Sequence, residues 1–180
     1  MISKEEWRRA RDRGWAMLQK AGIVLTPHEV AHMEVADFGL GRLEEIGLEV
    51  VVYVNTDRVC AKELIMFPGQ ICPEHMHPTV ADVPGKEETF RCRWGEVRLY
   101  VPGPATEPSL ARLSEERAQH LTVKHQVVLK PGEQYTLNPQ TLHWFQAGPE
   151  GGIVSEFSTH STDEYDVFTD PGIQRLPVVK

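Results

Sequence analysis

The chain has 180 residues, of which 41% are hydrophobic, and a formal net charge of -7. One domain is the simplest organisation for this length, since such a chain buries roughly 70% of the surface that its unfolded form exposes. The acidic balance without a basic cluster excludes nucleic-acid binding. No apolar run approaches the roughly 20 residues of a membrane span, which excludes a membrane-spanning helix.

The N-terminal region predicts two helices. Ser3 and Glu6 form a capping box, so a first helix is expected to run to about Lys20. Thr26 precedes a Pro and marks the start of a second helix, which is expected to reach about Ala36. The first twenty residues are charged and carry no apolar core, so no secretory signal is expected and the predicted location is cytoplasmic.

From residue 48 onward the pattern changes to short β-branched and aromatic runs separated by Pro and Gly turns. Gly95 and Glu96 are expected to form a hairpin between two of these runs. The spacing predicts an all-β fold, a β-barrel or jelly roll with N-terminal helices. We expect one domain with a helical segment 1–47, a barrel 48–160 and a tail 161–180. The predicted strands are 48–54, 59–67, the run that carries His75 and His77, 87–94, 97–101, 126–129, 134–137, 144–147 and 153–158.

Two histidines, His75 and His77, stand two residues apart. Residues two apart on a strand point to the same face, and two imidazoles on one face can share a divalent transition ion. Glu88 heads the next strand-like run and offers an oxygen ligand, and His143 is the best candidate for a fourth ligand. A single strand histidine is usually an ordinary core or surface residue, but this combination predicts a metal site with three nitrogen ligands and one oxygen ligand.

The spacing of these residues is similar to the two sequence motifs of the cupin family. In the first motif a Gly stands six positions before the first His of His-x-His, and a second Gly stands seven positions after the Glu; Gly69 and Gly95 keep both distances. Ten residues separate His77 from Glu88, more than the family usually has. The second motif is degraded around His143, because Ala147 stands where the family has Asn.

Two lysines near these ligands have two interpretations each. Lys62 shares a face with Leu64 by strand period, so it either points into the barrel with a partner or lies outside as a solvated charge. Lys86 is two positions from Glu88 and shares its face if the strand has begun by then; otherwise it is a loop charge.

Further candidates lie late in the chain and beside the ligands. Glu156 stands in an apolar-flanked strand, either as an acid/base group or as an outward-facing charge. Asp166 lies on a tail that can fold over the barrel mouth, or is an ordinary acidic loop residue. Phe90 and Trp144 flank the ligands and either wall a pocket or pack in the core.

The amino-acid sequence of this region resembles that of the D-lyxose isomerases, which are cupin-type ketol-isomerases. The likeness extends from about residue 62 to 170 and is densest over 67–103. It is carried by Phe67-Pro68-Gly69-Gln70, Pro73-Glu74-His75-Met76-His77-Pro78, Pro84-Gly85-Lys86-Glu87-Glu88-Thr89-Phe90 and Leu99-Tyr100-Val101-Pro102-Gly103.

The resemblance implies a divalent metal, usually Mn²⁺, and interconversion of D-lyxose with D-xylulose and of D-mannose with D-fructose. It implies a monosaccharide substrate and a homodimer. The ligands would be His75, His77, Glu88 and His143, and the catalytic and substrate-binding residues would be Lys62, Lys86, Glu156 and Asp166. Apart from the resemblance, Phe90 and Trp144 are candidates for substrate contact because they flank the ligands.

Residue chemistry is consistent with that reaction. Moving a carbonyl from C1 to C2 takes a proton from one carbon and returns it to the other, which a carboxylate can do while a metal stabilises the cis-enediolate. We assign the proton shuttle to Glu156. Two other functions use the same ligands: an Fe(II) cupin dioxygenase and a non-catalytic sugar-binding cupin. Three cysteines without a Cys-x-x-Cys pair are expected to be free thiols.

Overall fold

The computed structural model describes residues 2–176 and 178–180. Two helices, α1 (Lys4–Lys20) and α2 (Pro27–Ala31), precede a sheet, and a short helix α3 (Glu115–Ala118) lies in the long connection after the fifth strand. The strands are β1 (Glu34–Ala36), β2 (Leu48–Asn55), β3 (Cys60–Met66), β4 (Ile71–Met76), β5 (Glu88–Val101), β6 (His125–Leu129), β7 (Gln134–Leu137), β8 (His143–Ser158) and β9 (Val167–Phe168).

All strand pairs are antiparallel, and the sheet curls around one apolar core. Its order runs β1-β2-β3-β8-β4-β9, while β5 pairs with β6, β7 and β8. The interior is filled by side chains such as Leu64, Phe90 and Phe145, each no more than 3% exposed. The all-β fold with N-terminal helices that the sequence predicts is confirmed.

Helix α1 starts and ends where its signals predict. The Ser3 hydroxyl accepts a hydrogen bond from the Glu6 amide, and the Glu6 carboxylate accepts one from the Ser3 amide, which completes the capping box. The helix lies on the outer surface of the sheet, where Leu18 packs with Ile65 and Ile153. None of the described helices has the length and apolar character that crossing a membrane requires.

The expected second helix is shorter than predicted. Helix α2 ends at Ala31, and residues 34–36 form strand β1 instead of continuing the helix to Ala36. Strand β1 pairs with the start of β2, which buries Val35 and Ala36 almost completely. Tertiary pairing therefore overrides a local helical pattern, because the strand buries apolar area that a helix at this place would expose.

The expected hairpin at Gly95 and Glu96 is wrong. Strand β5 continues through these residues, and β8 likewise runs unbroken where two strands were predicted. Gly95 adopts φ +70 within a register shift between β5 and β8, and a Cβ at this position would lie 2.2 Å from the Gly151 carbonyl oxygen. The glycine thus serves a bulge and a close strand approach rather than a chain reversal.

The C-terminal tail crosses the barrel mouth and then returns to the N-terminus. Strand β9 pairs with β4 at His75 and Met76. Further along, Val179 forms a parallel bridge with Ile2, and the Lys4 amide donates to the Lys180 carbonyl. The tail is therefore held by backbone hydrogen bonds at β9 and again at residues 178–180.

One buried acid under α1 makes stability depend on pH. Glu49 is fully buried, and among the described residues its carboxyl oxygens accept no hydrogen bond. Burial raises the pKa of Glu49 well above its usual value. The folded state therefore holds a proton that the unfolded state releases above about pH 4.5, so the free energy of unfolding falls by up to about 1.4 kcal/mol per pH unit until the folded pKa is reached.

We expect Glu49→Gln to become progressively more stable than the wild-type protein as the pH rises from 4.5 to 7, because Gln carries no titrating proton. Urea unfolding of both metal-free proteins across this range measures the difference. Glu5→Gln, at a side chain 80% exposed, is the control and should stay within about 0.5 kcal/mol of wild type throughout. A difference for Glu49→Gln that does not change with pH would contradict the expectation.

Candidate metal centre

Three histidines on or directly after two adjacent strands converge inside the barrel. His75 lies on β4 directly opposite His143 at the start of β8, and His77 follows just after β4 ends. Each histidine offers one ring nitrogen, and these three atoms lie within 4.8 Å of one another. The three residues are between 1% and 7% exposed, so this cluster is almost fully removed from water.

The other ring nitrogen of each histidine is held by a hydrogen bond. His75 Nδ1 donates to the Pro73 carbonyl at 2.8 Å, and His143 Nδ1 donates to the Thr141 carbonyl at 2.9 Å. A carbonyl only accepts, so the proton is on Nδ1 and the Nε2 lone pair of each ring remains available. Burial also lowers the pKa of His75 well below its usual value, which keeps this ring neutral.

Glu88 brings an oxygen to the same place. Its Oε1 lies 3.1 Å from both His77 Nε2 and His143 Nε2. Burial opposes the charged carboxylate, but Lys86 and His77 outweigh it and hold the pKa of Glu88 well below its usual value. The His143 proton is on Nδ1, so its buried Nε2 and Glu88 Oε1 are two acceptors that face each other across 3.1 Å without a hydrogen bond. These two acceptors and the other two rings fit a divalent ion with three nitrogen ligands and one oxygen ligand.

Asp166 lies beside His77 and also lines the cavity next to the ligands. Its Oδ1 accepts a hydrogen bond from His77 Nδ1 at 2.5 Å. Burial lowers the pKa of His77, but the Glu88 charge and the Asp166 contact outweigh it and raise the pKa to about 9. An ion at His77 Nε2 would compete with that proton, as metal binding to histidine generally does. A carboxylate behind a ligand histidine orients the ring and strengthens it as a donor.

A second cluster of charged side chains lies beside these ligands. Lys62 points inward and is only 4% exposed; its Nζ donates to Asp163 Oδ2 at 2.6 Å and lies 3.8 Å from Glu156 Oε1. Lys86 Nζ donates to Glu156 Oε1 at 2.9 Å and lies 3.0 Å from Glu88 Oε2. Lys62, Lys86 and Glu156 therefore all point into the barrel and are buried, and none of the three is a solvent-exposed charge.

Sequence reasoning missed two members of this cluster, Asp163 and Arg175. Asp163 stands in a short 3-10 turn of the tail and accepts from Lys62, Lys86 and Arg175. These cations outweigh burial and hold the pKa of Asp163 well below its usual value. The only sequence signal was charge balance, because two lysines inside a barrel need more than one carboxylate partner.

The cavity between the metal ligands and the lysines has a volume of about 30 Å³. That is room for a few water molecules. Phe90 contributes to its wall together with Phe145 and Phe168. Trp144 faces away from this cavity and stacks on Tyr100, with ring centroids 3.8 Å apart. Of the two predicted wall residues, the structure therefore places Phe90 at the cavity and Trp144 elsewhere.

The chain is similar to known sugar isomerases over nearly its whole length. Residues 19–180 match the profile of the family described as D-lyxose isomerase. The sequence is 58% identical to a D-lyxose ketol-isomerase of Thermofilum sp. over 99% of both chains. It is 57% identical to a D-lyxose/D-mannose isomerase of Thermosediminibacter oceani over 100% of this chain and 99% of that protein.

A solved structure supports the fold independently. Cellulomonas parahominis L-ribose isomerase with L-ribose aligns with a TM-score of 0.78 over 96% of this chain and 94% of that chain. The identity is 17%, so this likeness establishes the fold alone. The predicted cupin-type fold is confirmed.

We expect Asp166→Ala to weaken Mn²⁺ binding by about 10- to 100-fold, because His77 Nδ1 loses the acceptor that orients its ring. Competition with a fluorescent chelator measures the dissociation constant. Glu164→Ala is the matched control, since it removes an exposed carboxylate from the same segment and should leave the constant unchanged. Equal affinities for Asp166→Ala and the wild type would show that this contact does not act on the ion.

Proposed function

This chain belongs to the D-lyxose isomerase family, and from this premise we propose that it interconverts D-lyxose with D-xylulose and D-mannose with D-fructose. Aldose–ketose isomerase activity is common to the named relatives with which the chain aligns over almost their whole length. The proposal adds the metal, the substrates and the residues that carry the reaction. The single observation behind it is that the candidate metal ligands adjoin a buried cluster of lysines and carboxylates.

His75, His77, Glu88 and His143 would hold a divalent ion, which we propose to be Mn²⁺. Such an ion, when bound, supplies Lewis-acid stabilisation of the negative charge that develops on sugar oxygens. Nitrogen and oxygen donors accept several divalent ions, so the choice of Mn²⁺ rests on the family resemblance.

Glu156 is the proposed proton carrier. It is 3% exposed and its Oε1 accepts hydrogen bonds from Lys86 Nζ and from the Ser158 hydroxyl. In the aldose-to-ketose direction it takes the proton from C2 of the open-chain sugar, which leaves a cis-enediolate, and returns it to C1. The hydroxyl proton of O2 is transferred to O1 in the same conversion, so atoms and charge balance.

Lys62 and Lys86 are the proposed donors to the sugar oxygens. Their ammonium groups offset the charge of the enediolate, as donors in a site without bulk water do most strongly. Asp163 now accepts from both lysines, so we propose that the sugar oxygens take over these contacts on binding. The 30 Å³ cavity supports this exchange, because a pentose enters only if Asp163 and its segment move.

The two other functions considered for these ligands are less well supported. A non-catalytic sugar-binding cupin has no need for a buried carboxylate between two lysines and the metal ligands. An Fe(II) dioxygenase would share the metal ligands, and oxygen dependence separates it from an isomerase. The homodimer, the cytoplasmic location and the boundaries of the single domain stay predictions.

We expect metal-free protein reconstituted with Mn²⁺ to convert D-lyxose to D-xylulose under anaerobic conditions, and D-mannose to D-fructose. A panel of free pentoses and hexoses, followed by chromatography of the products, measures the conversion and ranks the substrates. The same protein treated with EDTA is the control and should be inactive. Conversion that needs oxygen, or sugar binding without any product, would contradict the proposed reaction.

We expect Glu156→Gln to lower kcat by about 10²- to 10⁴-fold, because an amide does not accept the sugar proton. Metal content should be unchanged. Wild-type product formed in D2O should carry solvent deuterium, whereas product without deuterium would indicate a hydride shift. Glu150→Gln, at an exposed position of the same strand, is the control and should keep wild-type kcat.

A further inference from the structure

A buried carboxylate outside the pocket joins three segments behind the metal ligands. Glu74 precedes His75 on β4 and is only 1% exposed. Its two oxygens accept four hydrogen bonds from two other segments of the chain. The donors are the Thr122 amide at 2.7 Å, the Val123 amide at 2.9 Å, the Thr122 hydroxyl at 2.8 Å and the Thr169 hydroxyl at 2.7 Å.

One set of these contacts leads from β4 to β8. The Thr122 and Val123 amides both donate to Glu74 Oε2, which holds this piece of chain against β4. The Val123 carbonyl in turn accepts from Trp144 Nε1 at 2.9 Å. Trp144 directly follows His143. Glu74 and Trp144 are each the chain neighbour of a predicted ligand. The segment that contains Thr122 and Val123 therefore joins these two neighbours by hydrogen bonds.

The other set leads from β4 to the tail. The Thr169 hydroxyl donates to Glu74 Oε1, and the Thr169 amide donates to the Glu74 carbonyl at 3.1 Å. Thr169 follows β9, whose Phe168 pairs with His75. Asp166, just before β9, accepts from His77 Nδ1. Glu74 thus also fixes the segment that carries the carboxylate behind the third histidine.

We propose that Glu74 is a positioning residue of the metal centre, which sets the directions of three ligand rings without touching an ion itself. The inference rests on the proposed metal-dependent function. An ionised carboxylate only accepts hydrogen bonds, and here every contact is with a donor. Charge-assisted hydrogen bonds of this kind are shorter and stronger than neutral ones, so they hold the three segments in one arrangement.

The test compares Mn²⁺ affinity and the visible spectrum of the Co²⁺-loaded protein for the wild type and Glu74→Met, well below the melting temperature of each. Met fills a similar volume but accepts no strong hydrogen bond, so the Thr122 and Val123 amides lose their acceptor. We expect about 10-fold weaker Mn²⁺ binding, which is the usual effect of removing a group that hydrogen-bonds to a metal ligand, and a changed Co²⁺ spectrum. The spectrum reports ligand geometry, which a loss of stability alone would not alter.

Two variants separate positioning from general damage. Glu74→Gln should restore nearly wild-type affinity, because its amide oxygen can accept from the two amides while its NH2 group donates to the two hydroxyls. Glu63→Met is the matched control: Glu63 is 3% exposed on β3 and accepts from Ser155, and within the described part of the chain it has no hydrogen bond to a segment beside the ligand histidines. It should keep wild-type affinity and spectrum.

Equal Mn²⁺ affinity and an unchanged Co²⁺ spectrum in Glu74→Met would overturn the inference, as would an equal loss in Glu63→Met. If Glu74→Met does not fold, Thr169→Val removes only the hydroxyl that donates to Glu74 Oε1, at nearly unchanged side-chain volume. We then expect at least 3-fold weaker Mn²⁺ binding. An unchanged Mn²⁺ affinity would overturn the inference. Failure of the wild-type protein to bind Mn²⁺ would instead refute the proposed metal-dependent function from which the inference starts.

Discussion

The antiparallel pairing of β8 with three other strands brings the charged groups of this protein together. Residues of β8 lie opposite Lys62 on β3 and His75 on β4, and opposite the start of β5, where Glu88 is located. Side chains alternate between the two faces of a strand, so the pairing register decides which of them face the interior. Here each register places a polar side chain inside the same end of the barrel. A shift of β8 by one residue would turn His143 and Glu156 away from the pocket.

Burial of so many charges is possible because each has a partner of opposite sign. Lys62, Lys86 and Arg175 meet the carboxylates of Glu88, Glu156 and Asp163 within the same small volume. An unpaired charge at this depth would cost far more than a surface ion pair contributes. The cavity that this network leaves has a volume of about 30 Å³. Substrate binding and rearrangement of the tail are therefore coupled in the proposed reaction.

The tail and the long connection after β5 contact residues at and beside the candidate metal ligands. Asp166 supports His77 directly, and Glu74 joins Thr122, Val123 and Thr169 around β4. None of these segments needs to touch an ion to influence its binding, because ligand direction depends on the hydrogen bonds behind each ring.

The sequence by itself determined the local features: the capped start of α1, the strand-rich middle and the spacing of His75, His77, Glu88 and His143, which come together in the structure. These follow from short-range hydrogen bonding and from alternation along a strand. Only the tertiary structure decided that β1 replaces the end of a helix, that β5 runs through Gly95 without turning, and that Asp163 and Arg175 join the site. Those outcomes depend on partners more than ten residues away along the chain, whose burial and charge no local pattern records.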